Sequence, residues 1–167
     1  MTNKSTIATL LEQGRIIRIP VVLEPGEIPH RLLYGTPDFM KWFRSVVPSL
    51  PRDRDVDLTP KRALDNLFCD FVTGVSLETP KSIREITPHK AGIWEFKTLD
   101  LRVFGFFEKI DLFIATHGAT YDETHIPHPK TGETLFTHSE FGAKSASVAK
   151  DLGTTIICSG KYDDVIR

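Results

Sequence analysis

The sequence predicts an α+β fold: two helices followed by an antiparallel sheet, with an extra N-terminal strand pair and a C-terminal helical extension. Three observations carry that reading. Two Thr-Pro steps, Thr36-Pro37 and Thr59-Pro60, each open a stretch with apolar residues at helical spacing. Residues 92–118, GIWEFKTLDLRVFGFFEKIDLFIATHG, read as three strands joined by two tight turns. The helices come before the strands instead of alternating with them, and such segregation argues against a parallel α/β sheet.

Each element follows from local chemistry. Residues 15–34 form a strand pair bent around Glu24-Pro25-Gly26-Glu27, a Pro-Gly turn signal. Pro20 and Pro29 confine that pair to an edge or to irregular pairing, because proline donates no ladder hydrogen bond. Threonine caps a helix and proline tolerates its first position. The helix after Thr36 carries Phe39, Trp42, Phe43 and Val46 as a core-type stripe, and Pro48 ends it. Residues 48–58 read as a polar linker. The helix after Thr59 buries Ala63, Leu64, Leu67, Phe68, Phe71 and Val72, and Gly74 stops it. A short strand is expected at 82–86. Residues 139–152 predict a last helix with a thin Ala146, Ala149, Leu152 face, capped by Gly153. TTIICS, after it, reads as a final strand or a packed tail. The organisation is a single domain, 1–167: a β appendage over 1–35, a core over 36–118, then a loop and C-terminal helix and tail over 119–167.

The meander carries the chemistry. With Leu99-Asp100 and Glu108-Lys109 as two-residue loops, Lys97 faces Arg102, Phe96 faces Val103 and Trp94 faces Gly105. Across the second hairpin Phe104 then faces Phe113 and Arg102 faces Ala115. One face carries Trp94, Phe96, Leu101, Val103, Phe107, Ile110, Leu112 and Ile114 and predicts a core surface. The other carries Ile93, Phe104, Phe106 and Phe113, with Glu95, Lys97, Arg102 and His117 toward one end. Directly opposed cations destabilise a strand pair, and a site that holds an anion such as phosphate would explain them. A blander account stands beside it: strand ends put charges into water, and Glu95, diagonal to Arg102, could neutralise the pair.

Composition sets outer limits. The net charge of −1 means that no global field recruits nucleic acid, so RNA binding needs a local basic patch. The two cysteines, Cys69 and Cys158, lie far apart and suggest no disulfide framework, which fits the cytoplasm. MTNKSTIATL lacks the apolar core of a signal peptide, and no run approaches a membrane span. No Walker loop, dinucleotide fingerprint or nucleophile elbow is present, and no cofactor is expected.

The stretch 83–117, with Trp94-Glu95-Phe96-Lys97, then Arg102-Val103-Phe104, then Leu112–Ala115, resembles the RelE/ParE superfamily. Within it the pattern is similar to HigB-like toxins of bacterial toxin–antitoxin modules, over residues 60–118. The resemblance implies a RelE-like sheet and a ribosome-associated endoribonuclease that cuts messenger RNA, with a cognate antitoxin protein as a possible partner. It implies that Lys97 and Arg102 embrace phosphate. RNA cleavage needs a base for the 2′-hydroxyl, cations for charge developing on phosphorus and an acid for the leaving oxygen. His117 is the acid–base candidate, because imidazole titrates near neutrality. Tyr121 is a second proton carrier or a base-stacking group. The chain departs from the family pattern in its near-neutral charge, its acidic Asp122-Glu123 step and its two extensions.

Two other readings remain open. A non-catalytic protein-interaction module could reuse such a fold, with the extensions as its partner surface. A histidine cluster between His117 and His138 could bind metal, since His125, His128 and His138 supply three imidazoles. Pro127 and Pro129 argue for an extended loop there, and solvated loop histidines explain the spacing equally well.

Overall fold

A computed structural model describes residues 5–52, 57–88 and 91–167. At its centre a six-stranded sheet runs in the order β1-β2-β6-β5-β4-β3. The strands are β1 (Ile17–Arg18), β2 (Leu32–Gly35), β3 (Ile83–Glu85), β4 (Ile93–Lys97), β5 (Leu101–Lys109) and β6 (Leu112–Thr120). Every pairing is antiparallel except β2 with β6, which run parallel. A two-stranded sheet of β7 (His125–Pro127) and β8 (Thr134–Phe136) stands apart from it.

The expected α+β character holds, with one layer more than expected. Helices α2 (Pro37–Ser45) and α3 (Pro60–Thr73) cover one face, and the rings of Phe39, Phe43, Phe68 and Phe71 pack there with Phe96, Phe107 and Phe113. Helices α1 (Ile7–Glu12) and α5 (His138–Leu152) belong to a second core on the opposite face, where Leu10, Ala149 and Leu152 join Phe104, Phe106 and Ile114. A single-turn helix, α4 (Tyr121–Thr124), links β6 to β7.

The local signals act as chemistry requires. Thr36 and Thr59 hydroxyls accept from Phe39 N and Arg62 N, and Gly74 and Gly153 close their helices with positive φ. The strand pair expected within residues 15–34 forms as β1 against β2, with α1 ahead of it and β2 joined in parallel to β6. The linker expected at 48–58 falls partly outside the described residues. The second hairpin turns at Ile110-Asp111, not Glu108-Lys109, with Asp111 in the left-handed region.

That later turn and the register irregularities in the β5–β6 ladder change the faces. Phe104 pairs with His117 instead of Phe113, and Arg102 with Ala119 instead of Ala115. Phe113 therefore belongs to the α2–α3 face, stacked on Phe96 at 4.5 Å, while Leu112 and Ile114 move to the α5 face. A slip by an odd number of residues exchanges a strand's two faces. The first hairpin keeps the expected register, Lys97 opposite Arg102 and Trp94 opposite Gly105. Gly118 fits where it does because a Cβ there would lie 2.2 Å from the Trp42 ring.

No helix among the described residues is long and apolar enough to cross a membrane. Trp94, 2% exposed, meets Phe107 edge-on at 5.9 Å between the sheet and its covering layer. Trp94→Ala is expected to cost about 3–5 kcal/mol, read as a lower denaturant midpoint at unchanged slope.

Candidate functional site

The cations sit where the end of the sheet meets α4 and the start of α5. Lys97 and Arg102 are directly opposed across β4–β5, and Arg84 is opposite Glu95 across β3–β4. Alternation puts Arg84, Glu95, Lys97 and Arg102 on the one face that α5 covers. Glu95 is fully buried, and its Oε1 accepts from Arg84 Nε. Glu95 Oε2 faces His138 Nε2 at 3.6 Å. Lys97 Nζ donates to Pro80 O at 3.2 Å.

Arg102 is 6% exposed, and its Nη1 donates to the carbonyls of Thr98 (2.6 Å) and Leu101 (2.9 Å). Its guanidinium lies 5.3 Å from the Tyr121 ring centre. Burial pushes the Arg102 and Lys97 pKa values down, with Glu95 opposing the shift in both. Glu95 Oε2, Arg102 Nε and His138 Nε2 are all buried without a hydrogen-bond partner among the described residues. Each such atom costs about 1–3 kcal/mol, so their gathering beside the Lys97–Arg102 pair makes this the candidate site.

An aromatic row adjoins the cations. Tyr121 stacks on His125 at 3.8 Å, and His125 meets Phe136 at 5.1 Å and His138 at 5.3 Å. The row hangs on the capping box of α4, in which Thr120 Oγ1 accepts from Glu123 N and Glu123 Oε2 accepts from Thr120 N. His125 Nδ1 lies 3.0 Å from Tyr121 O and 2.8 Å from Thr124 Oγ1. A carbonyl can only accept, so the bond to Tyr121 O puts the proton of a neutral imidazole on Nδ1 and leaves Nε2 as an acceptor.

Of the four residues that sequence analysis singles out, the structure gathers Lys97, Arg102 and Tyr121 and leaves His117 elsewhere. His117 pairs with Phe104 and holds Thr116 Oγ1 at 3.1 Å. It lines a separate cleft of about 360 Å³ with Arg15, Asp38 and Asp151. Burial lowers its pKa, Lys144 adds to that and Asp38 opposes it, so its electrostatic neighbours are not the Lys97–Arg102 pair. The three-histidine metal reading fails on geometry. His125 stacks on Tyr121, His128 Nδ1 accepts from the amides of Lys130 and Thr131, and His138 faces Glu95. Among the described residues no group of three or more His, Cys, Asp or Glu side chains could hold a metal ion.

Sequence reasoning missed Arg84 and the roles of His125 and His138. Arg84 was detectable in principle as a cation placed opposite Glu95 once the short strand is paired. The convergence of α4, β8 and α5 had no local signal. In comparisons with protein-family models, curated proteins and solved structures, nothing matches this chain.

Burial, with the cations Arg84, Arg102 and Lys97 nearby, lowers the His138 pKa from 6.5 to about 4. Between those values the unfolded chain binds the proton and the folded chain does not. The stability that His138 contributes is complete above pH 6.5 and falls as the pH drops toward 4. The loss over that window is expected to reach at most about 3 kcal/mol. Denaturant midpoints measured across it should slope less steeply in His138→Gln than in the wild type.

Proposed function

We propose that this chain binds RNA through Arg84, Lys97 and Arg102 and acts as a RelE/HigB-like endoribonuclease on messenger RNA at the ribosome. The observation that carries this reading is the convergence of three cations on one end of the sheet, beside buried polar atoms that lack partners. The order of two helices, a short strand and a three-stranded meander, on which the resemblance rests, supports it as well. In this reading Lys97 and Arg102 stabilise charge that develops on phosphorus. His125, with Nε2 left as an acceptor, takes the base role that sequence analysis gave to His117. Tyr121, with its ring beside Arg102, is the second proton carrier or a stacking group. The cytoplasm is the compartment and an antitoxin protein the regulatory partner.

One observation favours a second reading, a non-catalytic interaction module. Arg102 is 6% exposed and its Nη1 is already held by two carbonyls, so the guanidinium is partly committed to the fold.

Induced expression of the wild type is expected to arrest growth and yield cleaved transcripts, and Arg102→Ala to do neither. Harmless expression, together with capture of a stoichiometric protein partner free of ribosomes, would select the module instead. Three cations also bound the electrostatics. The affinity of purified protein for single-stranded RNA should fall with salt at a log–log slope no steeper than about −2. Lys97→Ala should reduce that slope by about 0.7.

A further inference from the structure

The β7–β8 hairpin presents an aromatic ring that meets the His125 and His138 rings yet stays largely in water. Phe136 is 63% exposed, although a phenyl ring left in water forgoes the gain of burial. It is not on a loose tip. The hairpin is fastened at its base by Thr137 N to Thr124 O (3.2 Å) and Thr137 Oγ1 to Glu123 O (2.8 Å). It is closed by His128 N to Glu133 O at 2.7 Å. In its register His125 is opposite Phe136 and Ile126 opposite Leu135, so the two aromatic rings share one face. That face belongs to the cation cluster: guanidinium to Tyr121, Tyr121 to His125 and His125 to Phe136 are steps of 5.3, 3.8 and 5.1 Å.

We propose that this hairpin is a stacking platform for unpaired bases of single-stranded RNA, with Phe136 the ring that receives a base and Tyr121–His125 the stack behind it. The proposal rests on the reading that Arg84, Lys97 and Arg102 take RNA phosphates, and names the form of RNA that the site accepts. Charge complementarity selects the occupant: exposed aromatic rings joined to a row of cations match a chain that alternates bases with phosphates. Bases stack on aromatic side chains whatever their sequence, because each has a π-face, whereas a duplex keeps its bases stacked on one another. The anchoring at Thr124 and Glu123 means that little ordering remains to be done on binding.

The test uses full-length protein, a short fluorescent single-stranded RNA, an abasic strand with the same phosphates, and the matching duplex. Phe136→Ala should weaken the base-bearing strand about 5- to 150-fold. It should leave the abasic strand and the salt slope unchanged, and Phe136→Trp should restore the affinity. Equal loss for both strands, or no loss for either, would overturn the platform and leave the phosphate reading standing. Failure of the wild type to bind any of the three would sink the phosphate reading and the platform with it. A concentration-dependent dimer abolished by Phe136→Ala, with no base-dependent affinity, would assign the ring to a second copy of the chain instead. Thermal midpoints of both variants equal to wild type exclude unfolding as the cause.

Discussion

Double burial of β5 is the constraint that organises this molecule. All seven residues from Leu101 to Phe107 are buried, which a strand achieves only when both faces of its sheet are covered. One face is met by α2 and α3, the other by α1 and α5, and the two cores share only the sheet between them. The aromatic content follows from this geometry. Phe96, Phe107 and Phe113 fill one side and Phe104 and Phe106 the other, with Phe141 of α5 stacked on Phe104 at 4.8 Å. Gly105 lies at the irregular point of this ladder, where a Cβ would meet Ile114 O at 2.2 Å, so close strand approach needs the missing side chain there.

Within such a strand a charged residue is expensive, and Arg102 is the one charge in that buried run. Its neighbours show how the cost is met. Two carbonyls take Nη1, the Tyr121 ring lies beside the guanidinium, and fully buried Glu95 supplies the opposite charge. Arg84 and His138 complete the surroundings of Glu95. The compensation is incomplete, since one polar atom each on Glu95, Arg102 and His138 has no hydrogen bond among the described residues. A network that served stability alone would gain from apolar replacements of similar volume. Stability alone therefore does not account for its polar character.

What was legible in the sequence divides along the range of the interactions. Caps are local, so Thr36-Pro37, Thr59-Pro60, Gly74 and Gly153 announced their helices within a residue or two. The first hairpin was legible because one tight loop at Leu99-Asp100 fixes the whole register, and with it the opposition of Lys97 and Arg102. The second hairpin was not. Neither Glu108-Lys109 nor Ile110-Asp111 is an Asn-Gly-type turn, and the irregularities near Gly105 and Glu108 carry no pattern that alternation detects. Leu112, Phe113 and Ile114 are all apolar, so either register buries a strand and only the second covering layer decides between them.

His117 shows how a local error reaches the site. Placing the turn too early set His117 opposite Asp100, whereas the true pairing sets it opposite Phe104. The groups that occupy the site instead come from segments distant in sequence. Tyr121 and His125 arrive on a capped single turn, and His138 arrives as the first residue of α5. Helical propensity placed α5 correctly, but its thin Ala146, Ala149, Leu152 stripe gave no hint of which surface it covers. That surface proved to be the face of Glu95 and Arg102, where Ser145 reaches Thr116 across a 2.6 Å hydrogen bond. The C-terminal extension thus joins α1 in closing the second core and supplies the buried imidazole beside Glu95.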